Sequence, residues 1–255
     1  MEKDLAGKTA VVTGASRGLG RGIAQRLAAA GALVAVNYAG NAEAAAETVR
    51  LIEQAGGKAF PVQAKLAGQA EAEQLAAGLD AEFSRRTGST GIDILVNNIG
   101  GGDYGTILDA DEAFYDLVMA NNCRAAFFVT RVLHPRLRDN GSVINLSSAG
   151  SRLTDPGIIV YTMAKAAVEA FTRVLAAELG PRGITVNSVA PGFTAGETND
   201  YIVNDPVAAK SVTDVTALRR FGQPEEIADI VYALASPLGR WVTAQNVEAS
   251  GGFKL

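Results

Sequence analysis

Strand-like and helix-like stretches alternate along almost the whole chain, which predicts an α/β fold with a doubly wound parallel sheet. Two observations carry that expectation. The strand candidates are short runs that stay apolar throughout, as in Ala32–Asn37 and Asp93–Asn97, and such runs belong to a parallel sheet buried on both faces. The intervening segments carry helical spacing instead, as in Leu19, Ile23, Leu27 and Ala30. No solenoid repeat, low-complexity linker or composition break divides the chain, so one domain over residues 1–255 is expected.

The elements follow in order. Lys8–Thr13 is a β-prone run that stops at Gly14, and the helix that follows ends at Gly31. Ala32–Asn37 is the second strand; Asn41 can cap an alanine-rich helix that Gly56-Gly57 terminate. Lys58–Gln63 is the third strand, with a helix over 69–86 and a polar loop, Thr87–Gly91, after it. Asp93–Asn97 is the fourth strand, and a long helical pattern runs from Asp111 to Arg138. Ser142–Leu146 is the fifth strand, Ile159–Leu179 a helix stopped by Gly180-Pro181, and Ile184–Val189 the sixth strand. Residues 191–221 read as loop; Pro224 opens a helix at its first turn, and a last strand lies at Gln245–Glu248. The sum is a seven-stranded parallel sheet flanked by helices on both faces.

Composition narrows the function classes. The chain has 255 residues, 48% hydrophobic and 20% charged, enough for a large core. With 23 basic and 27 acidic residues the net charge is −4, so no footprint for nucleic acid or anionic lipid is present. The start, Met-Glu-Lys-Asp-Leu, lacks a basic stretch followed by an apolar run, and no run is long enough for a bilayer, so no secretory signal or membrane span is expected. The one cysteine, Cys123, precludes an intrachain disulfide and points to a reducing, cytoplasmic setting, with Cys123 itself a small buried apolar residue. The one histidine, His134, precedes Pro135 at a helix end; a Ser–His–Asp triad or a multi-histidine metal site is not expected, and no metal is expected at all.

The first strand and helix are joined by Thr13-Gly14-Ala15-Ser16-Arg17-Gly18-Leu19-Gly20. A glycine loop at that position can lay a pyrophosphate against the free N–H groups of the helix N-terminus. Gly-Lys-Ser/Thr does not follow, which argues against a nucleotide-hydrolysing P-loop. Farther on, Tyr161 and Lys165 stand one helical turn apart on one face. A phenol with a pKa of about 10 is a slow proton donor near neutrality, and a neighbouring ammonium should lower that value.

Together these motifs resemble the short-chain dehydrogenase/reductase family. Thr13-Gly14 with Gly18 and Gly20, Asn97-Asn98-Ile99-Gly100, Ser148, Tyr161 with Lys165, and Pro191-Gly192 occur in the family's order, with Ser148 placed 13 residues before Tyr161. The resemblance spans nearly the whole chain and is strongest to 3-oxoacyl-carrier-protein reductases and related bacterial ketoreductases. It implies a Rossmann-type NAD(P)-binding catalytic domain with a substrate loop at about 193–221. It makes Tyr161 the general acid, with Lys165 binding the nicotinamide ribose and depressing the Tyr161 pKa. Ser148, rather than neighbouring Ser147, orients the substrate carbonyl. Asn122, rather than Asn121, holds the water of a proton relay. Cofactor contacts are expected from Gly14, Ser16, Arg17, Gly18, Leu19, Gly20, Asn37, Tyr38, Leu66, Asn98, Gly100, Tyr161, Lys165, Pro191, Gly192 and Thr194.

The segment Asn37-Tyr38-Ala39-Gly40-Asn41 holds no acid to accept from a ribose 2′-hydroxyl, and Arg17 can pair with a 2′-phosphate, so NADP(H) is favoured over NAD(H). Three departures from the family pattern stand out. Lys65 replaces an adenine-binding aspartate, which leaves backbone near Leu66 for that job; Ile99 replaces an alanine; and Gly196 replaces a threonine, with Thr194 and Thr198 nearby. The loops 100–105, 149–158 and 193–216 should wall a moderately apolar site for a small carbonyl substrate, with Arg152 and Asp155 as polar readers. A carrier-protein-bound substrate would call for a basic patch near the mouth, for which Arg131, Arg136 and Arg138 are candidates. The resemblance further implies a homotetramer built through the two long helices and the C-terminal segment; the small residues Ala166, Ala167 and Ala170 would allow close helix approach.

The expected activity is NADPH-dependent reduction of a ketone, 3-oxoacyl or polyketide-like, to a secondary alcohol. The rivals are an NAD-dependent alcohol dehydrogenase working oxidatively and a non-catalytic dinucleotide sensor. Arg17→Ala should raise the NADPH Michaelis constant by about tenfold while leaving that for NADH nearly unchanged; equal effects on the two, measured by initial rates, would refute the phosphate pairing.

Overall fold

The computed structural model describes residues 3–101, 104–197 and 199–255. Seven parallel strands form one sheet: β1 (Thr9–Val12), β2 (Leu33–Tyr38), β3 (Lys58–Gln63), β4 (Ile92–Asn97), β5 (Leu137–Leu146), β6 (Thr185–Pro191) and β7 (Asn246–Ala249). Their spatial order is β3-β2-β1-β4-β5-β6-β7, so the winding direction reverses between β1 and β4. In such sheets the crevice beyond the strand C-termini at the reversal is where ligands bind. The doubly wound expectation holds, and Pro61 is accommodated because β3 is an edge strand.

Successive strand residues point to opposite faces and make two cores. Val12, Val34, Val36, Ile94 and Val96 face one layer, formed by α1 (Gly18–Ala29), α2 (Ala42–Gln54) and α9 (Pro224–Ala235). Val11, Ala35, Leu95 and Val143 face the other, formed by α3 (Gln69–Thr87), α5 (Ala125–Leu133) and α6 (Ile159–Leu179). Fully buried Leu75, Leu79 and Phe83 seal α3 against the sheet; each such side chain contributes about 1.5–3 kcal/mol of burial. Asn41 caps α2 as expected, accepting from the Ala44 amide at 2.9 Å.

The long helix expected over 111–138 is not continuous. It consists of α4 (Glu112–Met119), a π-turn over Ala120–Arg124, α5, and a 3-10 turn at His134–Arg136 that passes into β5 at Leu137. Pro135 lacks the amide needed to continue α5, so the chain turns there and β5 begins five residues before Ser142. The loop expected over 191–221 likewise contains two short helices, α7 (Asp200–Val203) and α8 (Pro206–Asp214), the second capped by Asp205. No helix among the described residues is long and apolar enough to cross a membrane.

At the end of the sheet away from the crevice, buried Asp93 ties three strand starts together. It accepts from the Thr9 amide, Lys8 Nζ and Arg138 Nη1, each at 2.9 Å. Burial by itself raises the Asp93 carboxyl, but the Thr9 amide and the two cations outweigh it and hold the group below its ordinary value. The stability this contributes is present above the unfolded carboxylate pKa and is lost as pH falls through the lower folded value. Asp93→Asn should cost about 3 kcal/mol at pH 7 and flatten the acid limb of the stability curve; urea unfolding at several pH values measures both.

Candidate active site

The cradle is built by the loop between β1 and α1. Gly14 and Gly18 have φ of +61° and +53°, a region that only glycine enters freely. Gly20 is required for a different reason: a Cβ there would stand 2.3 Å from the Gly14 carbonyl oxygen and 2.6 Å from Asn98 Nδ2. Asn98 Nδ2 donates to the carbonyls of Thr13 at 2.9 Å and Gly14 at 3.1 Å, while its own amide donates to Thr13 Oγ1 at 2.9 Å. The Ser16 carbonyl accepts from Arg21 at 2.7 Å and from the Thr48 hydroxyl at 3.1 Å. The carbonyls of Thr13, Gly14 and Ser16 are thus engaged by donors within the chain. Arg17 is extended at the start of α1 and no side chain caps that helix among the described residues, which leaves its first amides facing the crevice. That donor set suits a pyrophosphate.

The other expected cofactor residues lie along the same rim, after the C-termini of β2, β3, β4 and β6. Asn37 is 1% exposed and fully engaged: its Oδ1 accepts from the Gly14 amide at 3.2 Å, and its Nδ2 donates to the carbonyls of Val62 and Ala64. It braces the loop, and Tyr38 next to it is half-buried. Leu19 packs on the core, and the Leu66 side chain is buried in the opposite one, which leaves only its backbone for a ligand. Arg17 is exposed, with Glu197 at 3.9 Å. Pro191 ends β6, Gly192 is pressed against Ser250, and buried Thr194 pairs by its backbone with Gly222. Thr198 and Gly102 lie outside the described residues.

The four proposed catalytic residues come from three segments: the turn after β5, α6 and the π-turn. Ser148 sits just past β5, and its Oγ accepts from the Gly150 amide at 3.0 Å, which leaves its own O–H free to donate outward. Ser147 donates to Glu169 at 2.7 Å. Tyr161 lies in the first turn of α6, its ring beside Gly150, with Lys165 Nζ 5.7 Å from the ring centroid. Lys165 is buried and donates to the Leu146 carbonyl at 2.8 Å. Asn122 occupies the π-turn, where its Nδ2 donates to the carbonyls of Val118 and Gly101, both at 2.8 Å. The extra residue of the π-turn sends the Ala125 amide to the Ala120 carbonyl and aims Asn122 inward, while Asn121 stays partly exposed. A Cβ on Gly100 would lie 2.7 Å from both Asn122 Oδ1 and Lys165 Nζ, so both groups lie close against that glycine.

One electrostatic expectation is corrected. Burial pushes the Tyr161 phenol above its ordinary value, and the Ser148 hydroxyl offsets this only in part. Burial disfavours the Lys165 ammonium as well and pulls its pKa from 10.5 to about 8. Cys123 is also not the buried apolar residue expected but half-buried, and burial raises its thiol.

The expected polar readers and basic patch are otherwise engaged. Arg152 forms a bidentate pair with Glu248 at 2.6 Å and donates to the Phe253 carbonyl, which fastens the C-terminus. Asp155 accepts from the Gly157 amide at 2.9 Å in a tight turn. Arg131 donates to Gln69 at the start of α3, while Arg136 pairs with Asp80 and Arg138 with Asp93; the last two lie toward the N-terminal ends of the strands, away from the crevice. Residue-by-residue reading missed Thr13, Arg21 and Thr48, which brace the loop, and the buried Asn145. The signal for Asn145 was present in the sequence: a polar side chain inside an apolar strand run.

Because burial disfavours its charged form, Lys165 costs stability wherever it is protonated, and the cost is relieved as pH climbs from about 8 to 10.5. Relative to Lys165→Met, the wild-type protein should therefore gain about 3 kcal/mol across that interval; parallel chemical denaturation of both proteins tests it, and a constant difference would contradict the buried-ammonium geometry.

Comparison with known proteins agrees with this architecture. The family model described as "Enoyl-(Acyl carrier protein) reductase" matches residues 14–254. An uncharacterized oxidoreductase of Methylorubrum extorquens is 40% identical over 98% of this chain and 99% of the relative. A 3-oxoacyl-[acyl-carrier-protein] reductase of Staphylococcus aureus is 37% identical over 97% of this chain and 98% of its own. Among solved structures, the angucycline C-6 ketoreductase LanV with bound NADP superposes with a TM-score of 0.95 at 41% identity, covering 100% of this chain and 98% of that one. LugOII, a reductase that acts at C1 during lugdunomycin biosynthesis, gives 0.94 at 42% identity, covering 99% and 100%. A purely sensing role is thereby set aside, and the chain belongs to the short-chain dehydrogenase/reductase family of oxidoreductases that act on CH–OH and C=O groups.

Proposed function

We propose that this protein is an NADPH-dependent ketoreductase that converts a ketone to a secondary alcohol. The observation that carries the reading is the convergence of Ser148, Tyr161, Lys165 and Asn122 at the crevice that the glycine loop also faces. The cradle fits a dinucleotide because its glycines leave room where a Cβ would collide and its helix start offers uncapped amides. Gly14–Gly20 would hold the pyrophosphate, Arg17 the 2′-phosphate, and Lys165 the nicotinamide ribose. When bound, the nicotinamide supplies the hydride.

The chain's own residues do the rest. Ser148, its oxygen already accepting from Gly150, donates its O–H to the substrate carbonyl and holds that oxygen beside the phenol. Tyr161 then gives its proton to the oxygen as charge develops there. Its raised pKa keeps it protonated at neutral pH, which suits an acid working in the reductive direction. Lys165, with one donor on the Leu146 carbonyl, and Asn122 beside it form the path by which the phenol is reprotonated. The bound NADP of LanV and the absence of an acid after β2 support NADPH over NADH. The oxidative, NAD-dependent reading uses the same residues in reverse and lacks an observation of its own.

As substrate we propose a flat, polyketide-like ketone in preference to a carrier-bound acyl chain. Tyr104 and Tyr201 are 66% and 67% exposed where the segments after β4 and β6 rim the site, and rings so placed can stack on a planar substrate. The basic side chains that a carrier protein would need lie toward the far end of the sheet. Exposed Phe127, Met163 and Val174 on α5 and α6, with Trp241 near the C-terminus, support a homotetramer, and the lone cysteine supports a cytoplasmic setting. Tyr161→Phe should lower ketone-dependent NADPH consumption by about 10²–10⁴-fold with NADPH binding retained. Equal rates with and without the phenol, across a panel of aromatic and acyl ketones, would overturn the assignment.

A further inference from the structure

Below the site a group of buried polar side chains crosses from the sheet into two helices, and the chemistry above does not use it. Asn97 and Asn145 are register partners on β4 and β5. Asn97 Nδ2 donates to Asn145 Oδ1 at 2.8 Å and to Thr130 Oγ1 on α5 at 2.9 Å. Asn145 Nδ2 donates to Thr172 Oγ1 on α6 at 2.9 Å. Each threonine hands its own proton back to its helix, Thr130 to the Ala126 carbonyl and Thr172 to the Val168 carbonyl, both at 2.8 Å. All four side chains are 4% exposed or less.

Stability alone does not account for this arrangement. Asn97 Oδ1 has no donor among the described residues and adjoins a gap, lined by Thr13, Ile99, Ala125, Ala126 and Val129, too small for water. A buried unpaired carbonyl is destabilising, and apolar side chains of similar size would avoid that cost. What apolar side chains cannot supply is direction. A helix packed on a sheet through methyl groups can slide by fractions of an ångström at little cost, whereas hydrogen bonds near 2.9 Å define its height along the strands.

The placement of the four residues shows what that height controls. Asn97 immediately precedes Asn98, which holds the glycine loop, and lies three residues before Gly100. Asn145 immediately precedes Leu146, whose carbonyl takes the Lys165 ammonium. Thr172 lies about two turns beyond Lys165 along α6, and Thr130 about two turns beyond Asn122. We propose that Asn97, Asn145, Thr130 and Thr172 are positioning residues that set α5 and α6 against β4 and β5, and so bring Asn122, Lys165 and the Leu146 carbonyl together beneath Tyr161. The inference rests on the ketone-reduction reading only for its kinetic readout.

Thr172→Val and Thr130→Val each remove one oxygen at nearly constant shape. Each should lower kcat about tenfold while the NADPH dissociation constant and the ketone KM stay within about twofold. The serine variants, which keep the oxygen, should recover kcat to within about twofold of wild type. Crystals of Thr172→Val should show Lys165 Nζ withdrawn from its 2.8 Å contact with the Leu146 carbonyl. A role confined to stability would lower the melting temperature and leave kcat and that contact in place, and this result would overturn the proposal. So would serine variants as slow as the valine ones, which would assign the effect to the lost methyl. If the valine variants do not fold, Thr172→Cys is read against Thr172→Ser, from which it differs only by a weaker acceptor: a kcat below that of the serine variant supports the proposal and a kcat equal to it overturns it. A wild-type protein inactive on every ketone would fail the functional reading, and the crystal contact would still decide the inference.

Discussion

The carboxyl end of the sheet is organised around one ammonium, Lys165, held away from water. Burial disfavours its charge and lowers its pKa to about 8, so the site needs a partner for it, and the Leu146 carbonyl at the tip of β5 supplies one. Much of the local structure follows from that requirement. Gly100 must lack a side chain because the ammonium and Asn122 Oδ1 occupy the space where a Cβ would go. The helix through Asn122 must take an extra residue to aim that amide inward, which the π-turn provides. Tyr161 sits one turn before Lys165, where burial raises the phenol pKa and holds its proton.

The crevice that receives these groups is a consequence of topology. Because the winding reverses between β1 and β4, the loops after those strands diverge and leave a slot at the carboxyl edge of the sheet. The glycine loop lines one wall, with the carbonyls of Thr13, Gly14 and Ser16 held by Asn98, Arg21 and Thr48. Loop and catalytic quartet are coupled through β4: Asn97 reaches into the polar group beneath the quartet, and Asn98 next to it holds the loop. The far end of the sheet is organised on an opposite principle, with charged Asp93, Lys8 and Arg138 clamping strand starts where no ligand is expected.

Several assignments made from pattern alone proved geometrically consistent for an identifiable reason. Strand and helix periods differ, so six of the seven strands and the helix Ile159–Leu179 were legible to within a residue or two. The pairing of Tyr161 with Lys165 follows from helical pitch. Other readings failed where a local pattern had competing tertiary uses. The apolar spacing through 111–138 continued across Asn122 and Pro135, although an inward amide and a missing amide interrupt the helix at those points. Arg152 looked available to a substrate but is taken by Glu248, nearly a hundred positions away in sequence. Arg136 and Arg138 were near in sequence to a helix expected at the mouth, yet they fold to the opposite end.

The sequence by itself determined the fold class, the order of its elements and the residue types of the cradle and the catalytic quartet, because these follow from periodicity, backbone sterics and motif spacing, all of which act over short distances along the chain. The tertiary structure decided everything that depends on what surrounds a group. It buried Asn122 and left Asn121 partly exposed, tied Ser147 to Glu169, made Asn37 a brace of the glycine loop, and reversed the expected direction of the Tyr161 shift. Burial and hydrogen-bond partners come from segments far apart in sequence, and for a buried phenol beside a buried amine, desolvation outweighs the attraction that adjacency on a helix suggests.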